Sequence, residues 1–294
     1  MDKPQIIGLG LSGLVGSRIT ELLSDQFEFI NLGRKNGVDI TDPTSLTKIK
    51  DFEKADFVLH MAAKTDVDAC EKDKNLEQSG EAWKINAEGT KNVAEICRET
   101  GKKIIYISTD FVFDGEKPEG EFYSEEDQPN PVNWYARTKY EGEKAVEGSG
   151  TDYIIVRPGY PYRASFDEKI DFMRAIKLKL ERGEEVKAVT DHIFCPTFID
   201  DFAASLGVLI KNDVTGIYHA VGNQALSPYE ATIVIAKVFG LPKNLITKTT
   251  QEEFFKDAAP RPYNLALTNA KIEQIGVKMK GFEEGLLAVK SRLQ

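Results

Sequence analysis

The feature that most constrains this chain is a run of closely spaced glycines directly behind a short apolar stretch. Residues 5–8 read as a strand and run into Gly8-x-Gly10-x-x-Gly13-x-x-Gly16. Two patterns overlap there, GxGxxG on 8, 10 and 13 and GxxGxxG on 10, 13 and 16. Both need glycine for the same three reasons: a tight turn, close approach of backbone N–H groups to a pyrophosphate, and close packing of helix on strand. The helix that follows would point its N-terminus at the phosphates. Taken alone, the pattern is also met by a plain glycine-rich turn. Its place after a strand and before a helix favours a dinucleotide site, with Gly10, Gly13 and Gly16 at its centre, Ser12 as a hydroxyl donor, and Leu14 and Val15 in the turn.

The rest of the chain agrees with such a fold. Continuous apolar runs at 27–32, 57–60, 103–108 and 153–157 predict strands covered on both faces, as in a parallel sheet. Amphipathic stretches at 13–23, 44–49, 81–99 and 134–146 predict the intervening helices. This alternation predicts an α/β fold, a doubly wound parallel sheet of Rossmann type. Pro158, Gly159 and Pro161 break the rhythm, a charged helix follows at about 167–182, and 217–221 reads as one more strand. We therefore expect a dinucleotide-binding domain over 1–157, with 188–222 returning to it. A smaller, α-rich substrate-binding lobe is expected over 158–187 and 223–294.

Composition narrows the function classes. With 47 acidic and 38 basic residues the net charge is −9, which disfavours a broad nucleic-acid face but allows a local phosphate pocket. No apolar run nears the ~18–20 residues needed to cross a bilayer, and Gly8 and Gly10 interrupt the first one, so neither a membrane span nor a signal peptide is expected. Cys70, Cys97 and Cys195, and His60, His192 and His219, show no ligand spacing; free thiols, no metal and a cytoplasmic setting are the expectation.

The end of the second strand discriminates between cofactors. NAD binders usually place an acid there for the ribose 2′-hydroxyl. This chain has Gly33, Arg34 and Lys35 instead. Arg34 can pair bidentately with a 2′-phosphate, so NADP(H) is preferred with NAD(H) still open; Lys35 is equally well a solvated loop cation. Asp39 and Ile40 follow in a short loop positioned for adenine. For chemistry, Tyr135 and Lys139 stand at i, i+4 on one helix face, where an ammonium beside the phenol would lower its pKa and suit it to proton exchange with a carbonyl oxygen. Tyr140 and Lys144 repeat the spacing; the first pair is preferred because Asn130-Pro131 marks a helix start before it. The strand at 103–108 ends in Ser108-Thr109, and a hydroxyl there can fix a substrate oxygen. Thr109 is the choice and Ser108 the alternative; capping of a turn is the plain reading of either.

With these residues in this order, the chain resembles the extended short-chain dehydrogenase/reductases, and more narrowly the dTDP-4-dehydrorhamnose reductase family. STDFVFDG at 108–115 differs from that family's STDYVFDG only at Phe111. AAKTDVDACE at 62–71 is similar to AAxTxVDxxE, and NAEGT at 86–90 to NxxGT. DHIFCPT at 191–197 is similar to DQxGxPT, and Arg261-Pro262 with Leu267 to RPxxSxL. The resemblance implies NAD(P)H-dependent reduction of a 4-keto-6-deoxy sugar carried on a nucleotide, giving dTDP-rhamnose. It implies that Tyr135 donates the proton, Lys139 holds the nicotinamide ribose, and Thr109 orients the keto oxygen. Gly13, Leu14 and Val15 would cradle the pyrophosphate, Asp39 and Ile40 flank the adenine, and Ala62, Ala63 and Lys64 line the cofactor channel. Asp110 would contact substrate, and Tyr160 stands where a substrate-facing tryptophan is common.

Two departures fall on the substrate side. Residues 157–162 (RPGYPY) replace a run of the type RTSWVYG, and Phe194 stands at the glycine of DQxGxPT. Other nucleotide-sugar chemistry on the same fold, an epimerase or dehydratase, therefore stays in play, as does a non-catalytic cofactor-binding regulatory subunit. The expected partner is a small nucleotide-sugar substrate, with no nucleic acid and no membrane; a homodimer is compatible with the chain.

Overall fold

The computed structural model describes residues 3–293. Its centre is one six-stranded, all-parallel sheet. In chain order the strands are β1 (Gln5–Leu9), β2 (Glu28–Leu32), β3 (Ala55–His60), β4 (Lys103–Ile107), β5 (Tyr153–Arg157) and β6 (Gly216–His219). The spatial order is β2-β1-β3-β4-β5-β6. The main helices are α1 (Gly16–Leu23), α2 (Gly89–Thr100), α3 (Trp134–Glu147), α4 (Phe172–Glu181), α5 (Ile199–Lys211), α6 (Pro228–Phe239) and α7 (Phe282–Leu293). The expected doubly wound α/β fold is therefore present.

The period of two along each strand sends alternate side chains to opposite faces. Ile6, Leu59, Ile105 and Ile154 pack with Ile19, Phe202 and Leu206 on one face. Ile7, Val58, Ile104 and Ile155 pack with Val93, Cys97 and Val146 on the other. Both faces being covered is why the strands read as unbroken apolar runs. Because β2 and β3 flank β1 on opposite sides, the chain reverses direction across the sheet at β1/β3, and a ligand crevice opens at the carboxyl ends of those strands.

Helix boundaries shift from expectation for local reasons. The turn at 13–15 delays α1 to Gly16. Asp171 accepts from the Arg174 N–H (3.0 Å) and so sets the start of α4, later than the expected 167. The stretch at 81–99 is not one helix: a π turn at Lys84–Glu88 interrupts it.

The second lobe is built around Tyr162, Met173, Phe194, Phe198, Ile235, Phe282 and Leu286. Besides its helices it contains short parallel ladders, which the expectation of an α-rich lobe lacked. Pro161–Tyr162 pairs with Thr197–Phe198, Val186–Val189 with Ile246–Thr249, and Ile193–Phe194 with Asn264–Leu265. The expected return over 188–222 is accordingly corrected: residues 188–198 pair within the second lobe, and the chain rejoins the sheet domain at α5. Ile272, Val277 and Met279 also pack on the sheet side, so 223–294 is shared between the lobes. No helix among the described residues is long and apolar enough to cross a membrane.

Candidate active site

The overlap of glycine patterns is resolved by geometry. Gly10 has φ +89°, and a Cβ there would stand 2.6 Å from the Ala62 nitrogen on the neighbouring strand end. Gly16 closes the helix onto the turn, since a Cβ would stand 2.6 Å from Leu11 Cα. A Cβ on Gly13 would meet only the Gly10 carbonyl, at 3.6 Å, and otherwise face open space. Gly10 and Gly16 are therefore the turn and the packing contact, and Gly13 leaves an open face; Gly8 lies inside β1. Among the described residues nothing accepts the N–H groups of Leu14 and Val15.

Beside this turn lies a cleft of about 500 Å³. Gly10, Ser12, Arg34, Lys35, Asp39, Ile40, Ala62 and Ala63 all line it. Asp39 accepts from the Thr41 backbone N–H and hydroxyl (3.0 and 2.8 Å) and from Arg34 Nε (3.0 Å). These bonds, the Thr41 backbone bond foremost, hold its carboxyl below the usual range. Arg34 is thus steered by its Nε, leaving the rest of its fork to solvent and the cleft. Lys64 does not line this cleft: its N–H donates to Asn86 Oδ1 (2.8 Å), while its ammonium pairs with Glu81 and Asp73. Asn86, in the π turn, also donates to Thr138 Oγ1 (3.0 Å) and so ties this loop to α3. A π turn beside a ligand crevice is a recurrent functional placement. Asn86 stood in the sequence within the NxxGT segment without an assigned role.

At the end of β4, Thr109 accepts from the Phe111 N–H (3.3 Å) and donates to Asp110 Oδ1 (3.1 Å). The capping reading of Thr109 is therefore met together with its place at the site. Its hydroxyl also acts on the Tyr135 phenol, favouring ionisation against the larger effect of burial. Asn133 caps α3 by accepting from the Ala136 N–H (2.9 Å), and its amide donates to the Pro260 carbonyl (2.9 Å). That cap orients the first turn of α3, which carries Tyr135. Lys139, one turn on, donates to the Ile107 carbonyl (2.7 Å). Thr109, Tyr135 and Lys139 thus converge at the carboxyl end of β4. Tyr140 is half-buried away from them, accepting from Gln128 (3.3 Å), and Lys144 pairs with Glu141.

One expectation is corrected here. The phenol pKa of Tyr135 is not lowered on balance; burial, the largest influence, pushes it up. Burial also pulls the Lys139 ammonium down to about 7, against the pull of Glu143. Desolvation outweighs the i, i+4 relationship because both groups are sealed under Phe111, Tyr106 and the sheet. Asp110 is likewise pushed up to about 7 by burial. Its Oδ2, packed against Gly159, and the Ser108 hydroxyl are buried without a partner.

Tyr160 has a left-handed backbone, φ +42°, rare for an aromatic residue and a form of strain that tends to collect at functional sites. Its ring lies against Phe111 (5.9 Å) and Phe194 (4.5 Å). The Pro262 carbonyl accepts from His192 Nδ1 (2.7 Å), so Nε2 is left to accept from the Tyr160 hydroxyl (3.0 Å). Burial holds His192 neutral, with its pKa down at about 4. His192 and Phe194, which sequence reading noted only as a scattered histidine and a departure, thus build one wall with Tyr160. The three cysteines are free and buried.

Comparison with known proteins gives a consistent result. A family model described as RmlD substrate binding domain matches residues 4–294. The chain is 29% identical over 96% of its length to a probable low-salt glycan biosynthesis reductase, Agl14, of Haloferax volcanii, covering 96% of that protein. It is 30% identical to the methionine adenosyltransferase 2 subunit beta of Xenopus tropicalis, over 86% of this chain and 72% of that one. Among solved structures it is similar to a dTDP-4-dehydrorhamnose reductase from Bacillus anthracis in complex with NADP, with a TM-score of 0.89 and 29% identity over 99% of this chain and all of that one.

Proposed function

This chain belongs to the RmlD substrate binding domain family, that of the dTDP-4-dehydrorhamnose reductases, and on that premise we propose that it is an NAD(P)H-dependent reductase of a nucleotide-linked 4-keto-6-deoxy sugar. The observation that carries this reading is the meeting of Thr109, Tyr135 and Lys139 at the carboxyl end of β4, on the same edge of the sheet as the glycine turn after β1.

The residues present fit a nicotinamide dinucleotide. Free N–H groups at Leu14 and Val15, with the open face of Gly13, would receive the pyrophosphate. Asp39 and Ile40 would flank the adenine, and Arg34 would meet a 2′-phosphate, which favours NADP(H) over NAD(H). Ala62 and Ala63 would line the channel. Such a cofactor, when bound, supplies the hydride.

The chain supplies position and the proton. Thr109 orients the keto oxygen toward the Tyr135 phenol. Tyr135, whose proton burial holds firmly, donates it as negative charge develops on that oxygen. Lys139 holds the nicotinamide ribose and its charge offsets the phenolate left behind. Asp110, raised by burial to about 7 and so populated in both forms near neutral pH, can donate or accept toward a sugar hydroxyl. The aromatic wall of Tyr160, Phe111 and Phe194 gives the sugar an apolar face.

A second reading has one observation in its favour, the likeness to a methionine adenosyltransferase subunit. In that case the site would bind a dinucleotide without turnover. The two are separated by incubating the protein with NADPH and a panel of dTDP-, UDP- and GDP-linked keto sugars, then analysing products by mass. A product two hydrogens heavier with one nucleotide supports the reductase; cofactor binding with no product from any of them supports the subunit.

A further inference from the structure

We infer that Arg163, carried by the second lobe, is a binding residue for the pyrophosphate of the dinucleotide, an inference that rests on the cofactor reading above. Residue 163 is also where a run of the type RTSWVYG ends in glycine, so the guanidinium is a departure of this chain.

Pro161–Tyr162 pairs in parallel with Thr197–Phe198, which fixes the backbone just before Arg163. Its own N–H donates to Asp171 Oδ2 (3.3 Å), the residue that also caps α4. From this anchored position the side chain crosses to the first lobe, where Nη1 donates to the Leu14 carbonyl (3.1 Å) and to Ser17 Oγ (2.9 Å). Leu14 belongs to the turn where its own N–H and that of Val15 have no acceptor among the described residues, while the Ser17 N–H donates to the Gly13 carbonyl (3.0 Å), so the contact is made at the turn and the first residues of α1.

The charge balance at this turn singles Arg163 out. Arg18 also lies here, but it is spent: Nε and Nη2 bind both oxygens of Asp200 (2.9 and 2.8 Å), and Nη1 pairs with Glu21 (2.5 Å). The Arg163 guanidinium bonds to neutral acceptors; the exposed Glu21 stands 3.7 Å away, and Asp200, already bound by Arg18, acts on it less than Glu21 does. It is thus a largely unneutralised, half-buried cation at the positive end of α1, where helix and side chain both favour an anion. Burial and the nearby Arg18 accordingly lower its pKa. Ser17, accepting from Arg163, keeps its own proton free to donate. A second cation of the same segment, Lys169, reaches Thr65 Oγ1 (3.0 Å), so the second lobe touches the first on both borders of the crevice.

The test is direct titration of the full chain with NADPH and NADH, followed by nicotinamide fluorescence and by calorimetry. Since both cofactors share the pyrophosphate, Arg163→Ala and Arg163→Gln should raise both Kd values by the same factor, about tenfold, the scale of one charge-assisted hydrogen bond. Arg163→Lys should recover part of the loss, and added salt should weaken wild-type binding more than that of Arg163→Gln. Arg163→Gln keeps a polar side chain and removes the charge, so it decides the matter if the alanine variant folds poorly. Wild-type Kd values in Arg163→Gln would overturn the inference, and so would a loss confined to NADPH, which would assign Arg163 to the 2′-phosphate. Wild-type protein that binds neither cofactor would overturn the cofactor reading itself.

Discussion

Lys139 stands over the ring of Tyr106, its Nζ 4.1 Å from the ring centroid, while donating to the Ile107 carbonyl. The ring face and the carbonyl are the ammonium's partial replacement for water. Replacement is incomplete, which is why burial brings its pKa down to about 7. An ordinary lysine stays charged through the neutral range; this one changes charge there. If its charge offsets the developing phenolate, turnover should fall as pH rises through about 7. Steady-state rates between pH 5.5 and 9 check this, with Lys139→Arg as the comparison. A guanidinium does not deprotonate in that range, so the variant, though slower, should lose the alkaline limb.

The glycines of the turn should separate binding from folding. Gly13→Ala places a methyl in open space on the proposed approach surface, so thermal stability should change little while dinucleotide Kd rises at least tenfold. Gly16→Ala drives a methyl to 2.6 Å from Leu11 Cα and should destabilise the chain by about 1–3 kcal/mol, the usual range for overpacking. Thermal melts paired with NADPH titration distinguish the two.

Arg34 should read the 2′-phosphate. Its Nε is held by Asp39 (3.0 Å), which aims the side chain at the rim of the cleft. Arg34→Ala should weaken NADPH binding by tenfold or more and leave NADH within about twofold. Equal effects on the two cofactors would remove the basis for preferring NADP(H).

Acid should destabilise the chain partly through His192. Burial lowers its pKa from 6.5 to about 4 in the folded state. Its stabilising contribution is therefore present above about 6.5 and is lost as pH falls toward 4, on the order of 3 kcal/mol in all. His60, down at about 3 for the same reason, acts in the same direction. Asp110, raised to about 7, acts oppositely, its contribution being lost as pH rises toward 7. Urea unfolding of wild type and His192→Gln at pH 7 and pH 5 isolates the histidine: the difference between the two proteins should shift in favour of the variant at the lower pH.

The sheet was legible because burial on both faces writes each strand as an apolar run, and β1 to β6 lie within a residue or two of where those runs stand. Thr109, Tyr135 and the glycine turn were legible because each lies on or beside an element whose period shows. The second lobe was less so. Two-residue strands such as Ile193–Phe194 carry no period, so 188–198 read as part of the sheet domain. The pKa of Tyr135 was misjudged because spacing shows a neighbouring charge but not the depth of burial. Arg163 and Leu14 are 149 positions apart, and nothing local to either announces their contact. His192 gained its role only when the fold brought Tyr160 to one side of it and Pro262 to the other.

The central claim is that this site passes a proton from Tyr135 to a sugar ketone as the ketone is reduced. The most direct measurement is the decay of NADPH absorbance with a dTDP-linked 4-keto-6-deoxyhexose, for wild type, Tyr135→Phe and Tyr140→Phe. Wild type and Tyr140→Phe should turn over at similar rates, and Tyr135→Phe should be slower by about 10²–10⁴ while still binding NADPH. Near wild-type turnover in Tyr135→Phe, or no decay in wild type that binds both ligands, would contradict it.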